Sequence, residues 1–181
     1  LKDCGIPLVF LDREITDDKI SSVLTSNYQD MCMQIEYLIR TGHKRIAFIR
    51  GSHSYDDKQR YRAYVDTMKK HGLPVDNTMT AWGDFNYFTI KQQFSTYYTN
   101  FSNIPDAICC SNDNMAVACI EFFERIGLSI PEDISICGFD DLYYSSVSKI
   151  PLTTVKNPIR EISKKAVDEA IRLLDEKARG K

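Results

Sequence analysis

Short apolar runs alternate along this chain with longer stretches in which apolar residues return every three or four positions. Residues 7–11 form an apolar run opened by Gly5 and closed by charge, which predicts a buried strand. Residues 28–40 place Met31, Ile35, Leu38 and Ile39 at helical spacing, and Gly42 suits a left-handed cap at the end. The same reading gives a strand at 45–49, a helix at 59–70 ended by Gly72, and a short strand at 78–82. A helix of weaker periodicity follows at 88–98. Beyond Pro105 come a strand at 107–110, a helix at 112–126 ended by Gly127 and a strand at 134–137. Residues 140–151 read as a loop, and 158–177 as a charged amphipathic helix. Strands of four or five apolar residues separated by helices predict an α/β fold, a parallel sheet covered by helices on both faces. In such sheets ligands sit at the carboxyl ends of the strands. Three strand ends are polar: Gly51-Ser52-His53-Ser54, Ser111-Asn112-Asp113 and Gly138-Phe139-Asp140-Asp141.

Composition narrows the class. The 181 residues are 43% hydrophobic and 27% charged, which excludes disordered and collagen-like chains. The net charge of −2 gives no basic excess for binding nucleic acid through this segment's own surface. The longest uncharged stretch, 92–105, is rich in Gln, Thr, Asn and Tyr, so no membrane-crossing helix is expected. The opening Leu-Lys-Asp-Cys-Gly has neither an initiator Met nor a signal-peptide pattern, and looks like a cut inside a larger protein. The 6 cysteines, Cys4, Cys32, Cys109, Cys110, Cys119 and Cys137, form no C-x-x-C pair. They read as buried free thiols, which favours a reducing cytoplasm.

Enzyme templates fail in turn. There is no G-x-G-x-x-G, no phosphate-binding Gly-Lys loop and no G-x-S-x-G elbow. Ser52, His53 and Asp56 share one loop, with nothing to fix a triad geometry. No enzyme activity and no cofactor is expected. Asp140 and Asp141 suit either a divalent cation or, preferably, the hydroxyl groups of a polar ligand. Arg60 suits either a guanidinium fork beside them or a solvated helix position.

Here the residues resemble a family. Thr41-Gly42-His43-Lys44-Arg45-Ile46-Ala47-Phe48-Ile49 is similar to a strand of lactose/galactose-repressor-type (LacI-type) regulators. Four further blocks follow in that family's order. They are Arg60 to Tyr64, Pro105-Asp106-Ala107-Ile108 with Ser111-Asn112-Asp113, Ile130-Pro131-Glu132-Asp133-Ile134-Ser135 through Gly138-Phe139-Asp140-Asp141, and Pro151-Leu152-Thr153-Thr154-Val155. The resemblance implies a two-lobed, type I periplasmic-binding-protein-like module that senses a small polar effector, such as a sugar, between its lobes. It implies that residues 1–26 are part of the N-terminal lobe, 27–156 the C-terminal lobe and 157–181 a helix returning to the first. A DNA-binding head would precede Leu1 and bind operator DNA, and a closing strand would follow Lys181.

Carried over, the effector contacts are Arg60, Phe85, Asn112 and Asp140, with Ser54 and Tyr55 beside them. Phe85 has ring stacking or core packing open to it, and Asn112 has ligand binding or helix capping. Ser26, Asp30 and Ala63 depart from the family's usual Asp, Gly and Gly. The resemblance also implies a homodimer. The helix at 112–126 carries more apolar positions than one stripe uses, and Val117, Glu121 and Phe122 are the expected contact beside the loop at 146–150, the alternative being that the helix at 88–98 covers Val117 and Phe122 within the chain. The alternative reading is the solute-binding protein of a sugar importer, which shares the fold.

Overall fold

A computed structural model of the chain describes residues 6–17, 20–101, 104–147 and 149–179. It divides into two compact units, Leu1–Ser26 with Pro158–Lys181, and Asn27–Asn157. Expectations for Cys4, Gly5 and Lys181 fall outside the described residues.

The larger unit holds β3 (Ile46–Arg50), β4 (Thr80–Trp82), β5 (Ala107–Cys110) and β6 (Ser135–Cys137), a four-stranded parallel sheet in the order β4-β3-β5-β6. Register pairs Phe48 with both Thr80 and Cys109, and Cys109 with Cys137. Both faces are buried, which is why these strands read as continuous apolar runs. On one face Phe48, Cys109 and Cys137 pack with α1 (Asn27–Arg40) and α2 (Tyr55–Lys70), through Met31, Ile35, Ala63 and Tyr64. On the other, Ile49, Ala81 and Ile108 meet α3 (Tyr87–Asn100) and α4 (Asp113–Arg125), through Ile90, Phe94, Cys119 and Phe123. The cysteines of the sheet and of α4 are free and buried, with Cys110 and Cys119 sulfurs 3.9 Å apart.

The smaller unit pairs β1 (Val9–Leu11) with β2 (Ser21–Val23) in parallel, and α6 (Ile159–Ala178) packs on both. Ser21 Oγ donates to Glu169 at 2.5 Å. Arg172 and this bond hold the Glu169 carboxyl down at about 2.

Several expectations are corrected. The strand at 7–11 is shorter and not buried: Val9 and Phe10 are half-buried and Leu11 is exposed, because α6 and the short β2 are its neighbours. β2 was not expected, since Ser-Ser-Val shows no apolar run. The loop at 140–151 contains a short helix, α5 (Tyr143–Val147), fastened where Ser145 Oγ donates back to the Leu142 carbonyl. α2 starts at Tyr55 rather than at residue 59, with Ser54 as its extended N-cap. Tyr55 is therefore a first-turn residue, and Arg60 sits in the second turn rather than at the helix start.

Phe122, expected to face a partner, is buried. Its ring lies 5.1 Å from Phe94 and 5.6 Å from Tyr98, so α3 covers it within the chain. Val117 is half-buried. Glu121 is exposed and accepts from Tyr87 at 2.5 Å and from Lys91 at 3.4 Å.

Candidate functional site

The carboxyl ends of β3, β4, β5 and β6 run into loops that converge on Arg60. The polar character of these ends is what the sheet topology requires, since a strand leaving the core must satisfy its last backbone groups with turns and side chains. After β3, the buried carboxylate of Asp57 closes the turn. It accepts from the Gly51 amide at 2.7 Å and from Arg50 Nη2 and Nε at 2.6 and 3.1 Å. Arg50 is spent on this pair and on two rings, Trp82 at 4.1 Å and Tyr61 at 4.2 Å, and His53 covers Trp82 at 4.5 Å. Burial pushes the Asp57 carboxyl up, against the opposing pull of Arg50 and the Gly51 amide.

After β4 the chain enters left-handed backbone at Asp84 and Phe85, with φ of 52° and 53°. An aromatic residue rarely adopts that region. Amides of Gly83 and Asp84 donate to the Arg50 and Gly51 carbonyls at 2.8 Å each, which fixes the turn. Phe85 then lays its ring on Gly51, where any β-carbon would stand 2.1 Å from the ring.

Asn112 at the end of β5 caps α4 through Oδ1, which accepts from the Met115 amide at 3.0 Å, while Nδ2 donates to the Phe85 carbonyl at 3.1 Å. The capping role is therefore realised, and the same amide holds the Phe85 turn. After β6, Asp113 fastens the loop, accepting from Thr154 Oγ1 at 2.6 Å and from the Leu142 amide at 2.8 Å. Burial raises its carboxyl despite both bonds. Asp140 has a φ of 105° and is held by its amide, which donates to the Val155 carbonyl at 2.8 Å.

Arg60 is 4% exposed and joins these loops. Its Nε donates to Asn27 Oδ1 at 2.8 Å, its Nη1 to the Ser111 carbonyl and its Nη2 to Asp140 Oδ1 at 3.4 Å. The guanidinium lies 3.8 Å from the Phe139 ring and 5.9 Å from the Phe85 ring. Burial lifts the Asp140 carboxyl above its ordinary value, and the long contact to Arg60 only partly offsets this. Ser54 Oγ and Ser111 Oγ are buried here without a hydrogen-bond partner. Among the described residues no group of His, Cys, Asp and Glu is arranged to hold a metal.

Of the expected residues, Arg60, Phe85, Asn112 and Asp140 are thus brought together at one sheet end, with Ser54 and Tyr55 opening the helix that carries Arg60. The arrangement offers an aromatic face, a fixed cation and a carboxylate, the combination that grips the apolar face and hydroxyl edge of a polar ring. Asn27, Asp57, Phe139 and Asn157 were not singled out from the sequence, although Phe139 lies inside a quoted block.

The periplasmic binding protein-like domain matches residues 35–181. The chain belongs to that family. Its relatives are regulators of the LacI type, and the chain corresponds to their effector-binding core. The probable HTH-type transcriptional repressor ExuR of Bacillus subtilis is 31% identical over 97% of the chain and 53% of its own length. The chain therefore spans about half the length of this curated relative. A sugar-binding LacI-family regulator from Escherichia coli, solved with phosphate, superposes with a TM-score of 0.86 at 26% identity, covering 93% of this chain and 61% of that one. A LacI-family regulator from Lactobacillus casei with bound glucose gives 0.78 at 26% identity, covering 92% and 63%. The relative is named a repressor and both solved proteins are transcriptional regulators, and none of the three is named as an enzyme. Among the described residues no helix is long and apolar enough to cross a membrane.

Proposed function

We propose that this effector-binding core belongs to a cytoplasmic transcriptional repressor and binds a small polar effector, a sugar, at the strand ends of the larger unit. The observation that carries this reading is the convergence of Arg60, Asp140 and the Phe85 ring on one spot. Asp140 accepts hydroxyl hydrogens, Arg60 fixes the carboxylate and donates beside it, and Phe85 stacks on the apolar face of the ring. Asn112 keeps the Phe85 turn in place and has an amide hydrogen left to offer. Ser54 Oγ and Tyr55 border the same helix start. Support comes also from solved relatives described as sugar-binding or holding glucose. Operator DNA is read by a head domain outside this segment, and the working protein is a homodimer.

Titration calorimetry of the full-length protein against a panel of neutral mono- and disaccharides tests the reading. The bound sugar should lose about 1.5–3 kcal/mol of affinity in Arg60→Ala and in Asp140→Ala, the range for a hydrogen bond to a charged group. Unchanged affinity in both variants would sink the assignment.

A further inference from the structure

Asn27 and Asn157 are the first and last residues of the larger unit. Both side chains end on the same ion pair. Asn27, 2% exposed, accepts from Arg60 Nε at 2.8 Å. Asn157 Nδ2 donates to Asp140 Oδ1 at 3.5 Å, and the Asn157 amide donates to the Asp140 carbonyl at 3.4 Å. A continuous polar path therefore runs from the chain entering the unit to the chain leaving it, Asn27–Arg60–Asp140–Asn157.

The two ends of this path are unequal. At the Arg60 end the bond is short, and a second one to the Ser111 carbonyl pins the guanidinium to the end of β5. At the Asp140 end two long contacts, 3.4 and 3.5 Å, converge on one carboxylate oxygen. Asn157 Oδ1 is buried there with no hydrogen-bond partner. Long, shared contacts beside an orphan acceptor cost little to rearrange, whereas short bonds between buried groups resist. An equilibrium responds to a ligand only through contacts that differ between its states, and the long contacts at the Asp140 end are the ones in this path with the least to lose by differing.

We propose that Asn27 and Asn157 are positioning residues that tie the Arg60–Asp140 pair to both ends of the unit. A change at the Asp140 carboxylate, such as an effector hydroxyl bonded to it, is passed to the chain leaving at Asn157, while the entry at Asn27 stays fixed. The inference rests on the effector role given above to Asp140, but its test needs no effector.

Amide hydrogen exchange of the unliganded protein, followed by mass spectrometry, compares the peptides covering 27–31 and 152–157. Asp140→Asn, which keeps side-chain size and tolerates left-handed backbone, should speed exchange at 152–157 by about tenfold and leave 27–31 within about twofold. Asn157→Ala should reproduce that pattern. Asn27→Ala should speed exchange at 27–31 and leave 152–157 within about twofold, because the Ser111 carbonyl still holds Arg60 beside Asp140. Equal acceleration of both segments in Asp140→Asn, or none at 152–157 in Asp140→Asn and Asn157→Ala, would overturn the relay. Neither result alters the calorimetric test of effector binding, so the two readings fail separately.

Discussion

Gly51 and Gly138 are fixed by what a β-carbon would strike, and the two obstacles differ in kind. At Gly51 the obstacle is the Phe85 ring, which can turn aside. At Gly138 it is Asp113, whose Oδ1 would be 2.2 Å away and whose backbone Cα 3.1 Å away. Asp113 is locked by Thr154 and Leu142 and has no room to withdraw. Gly138→Ala is therefore expected to destabilise the protein by about 1–3 kcal/mol, read from the urea midpoint at constant slope. Titration separates Asp140 from an ordinary surface aspartate. Its carboxyl is raised above 3.8 by burial, so the folded state binds its proton more tightly than the unfolded state does. Its contribution to stability therefore falls as pH climbs through that raised value. Asp140→Asn should gain stability relative to the natural protein as pH rises from about 4 in urea denaturation, and a variant that loses ground to the natural protein with rising pH would contradict the burial argument. The residue types at the strand ends were legible in the sequence, and so was their order. The fork of Arg60 beside Asp140 was one of two readings of that arginine, but its second partner was not legible, because Asn27 meets Arg60 across 33 positions, a distance that leaves no local pattern.

α4 shows how far periodicity reaches at the scale of an element. Its apolar excess was plain in the sequence, but the direction of the excess was not. Phe122 points into an aromatic cluster with Phe94, Tyr98 and Phe123, whose ring centroids lie between 5.1 and 6.5 Å apart. α3 supplies half of that cluster from a segment of weak periodicity rich in Gln, Thr and Tyr, so the sequence left cover by this helix and cover by a partner both open, and the structure realises the first for Phe122. Phe94 is fully buried at the centre, and Phe94→Ala should cost about 3–5 kcal/mol in chemical denaturation. A loss below about 1 kcal/mol would mean that α3 is not held by this cluster. The long amphipathic helices and the buried strands β3 and β5 were readable because burial on a periodic face imposes a periodic sequence. β2 and α5 escaped for the opposite reason. Three half-buried residues and one turn of Tyr-Tyr-Ser-Ser-Val are set by their neighbours rather than by their own pattern.

For the whole molecule, the charge on α6 and the side of α4 bear on which surfaces are open to partners. Two cations of α6 are paired along the helix, Lys164 with Asp168 at 2.6 Å and Arg172 with Glu169 and Glu176 at 2.7 and 2.5 Å, and acidic residues alternate with the basic ones along its sequence, the pattern of a solvated face rather than a basic stripe for phosphates. Recognition of DNA is left to the head proposed above, and paired heads need paired cores. With Phe122 withdrawn into the chain, the proposed dimer contact reduces to the flank of α4. Val117 is half-buried there, and Glu121 is exposed with its carboxylate held by Tyr87 and Lys91. Exposed Val147 on α5, at 59%, belongs to the loop region expected beside it, exposed Tyr143, at 82%, opens the same helix, and Tyr144 bonds to Asn114 on α4. A two-fold axis would set this mixed patch against its own copy, burying the aliphatic positions and leaving the Glu121 cluster at the rim. The full-length protein should sediment at equilibrium as a dimer at micromolar concentration. Val117→Asp puts an unpaired carboxylate into the apolar part of the contact and should shift the protein toward monomer by at least tenfold in dissociation constant, or about 1.4 kcal/mol. A monomeric mass for the natural protein would refute the dimer, whereas an undisturbed dimer in Val117→Asp would refute only its placement on α4.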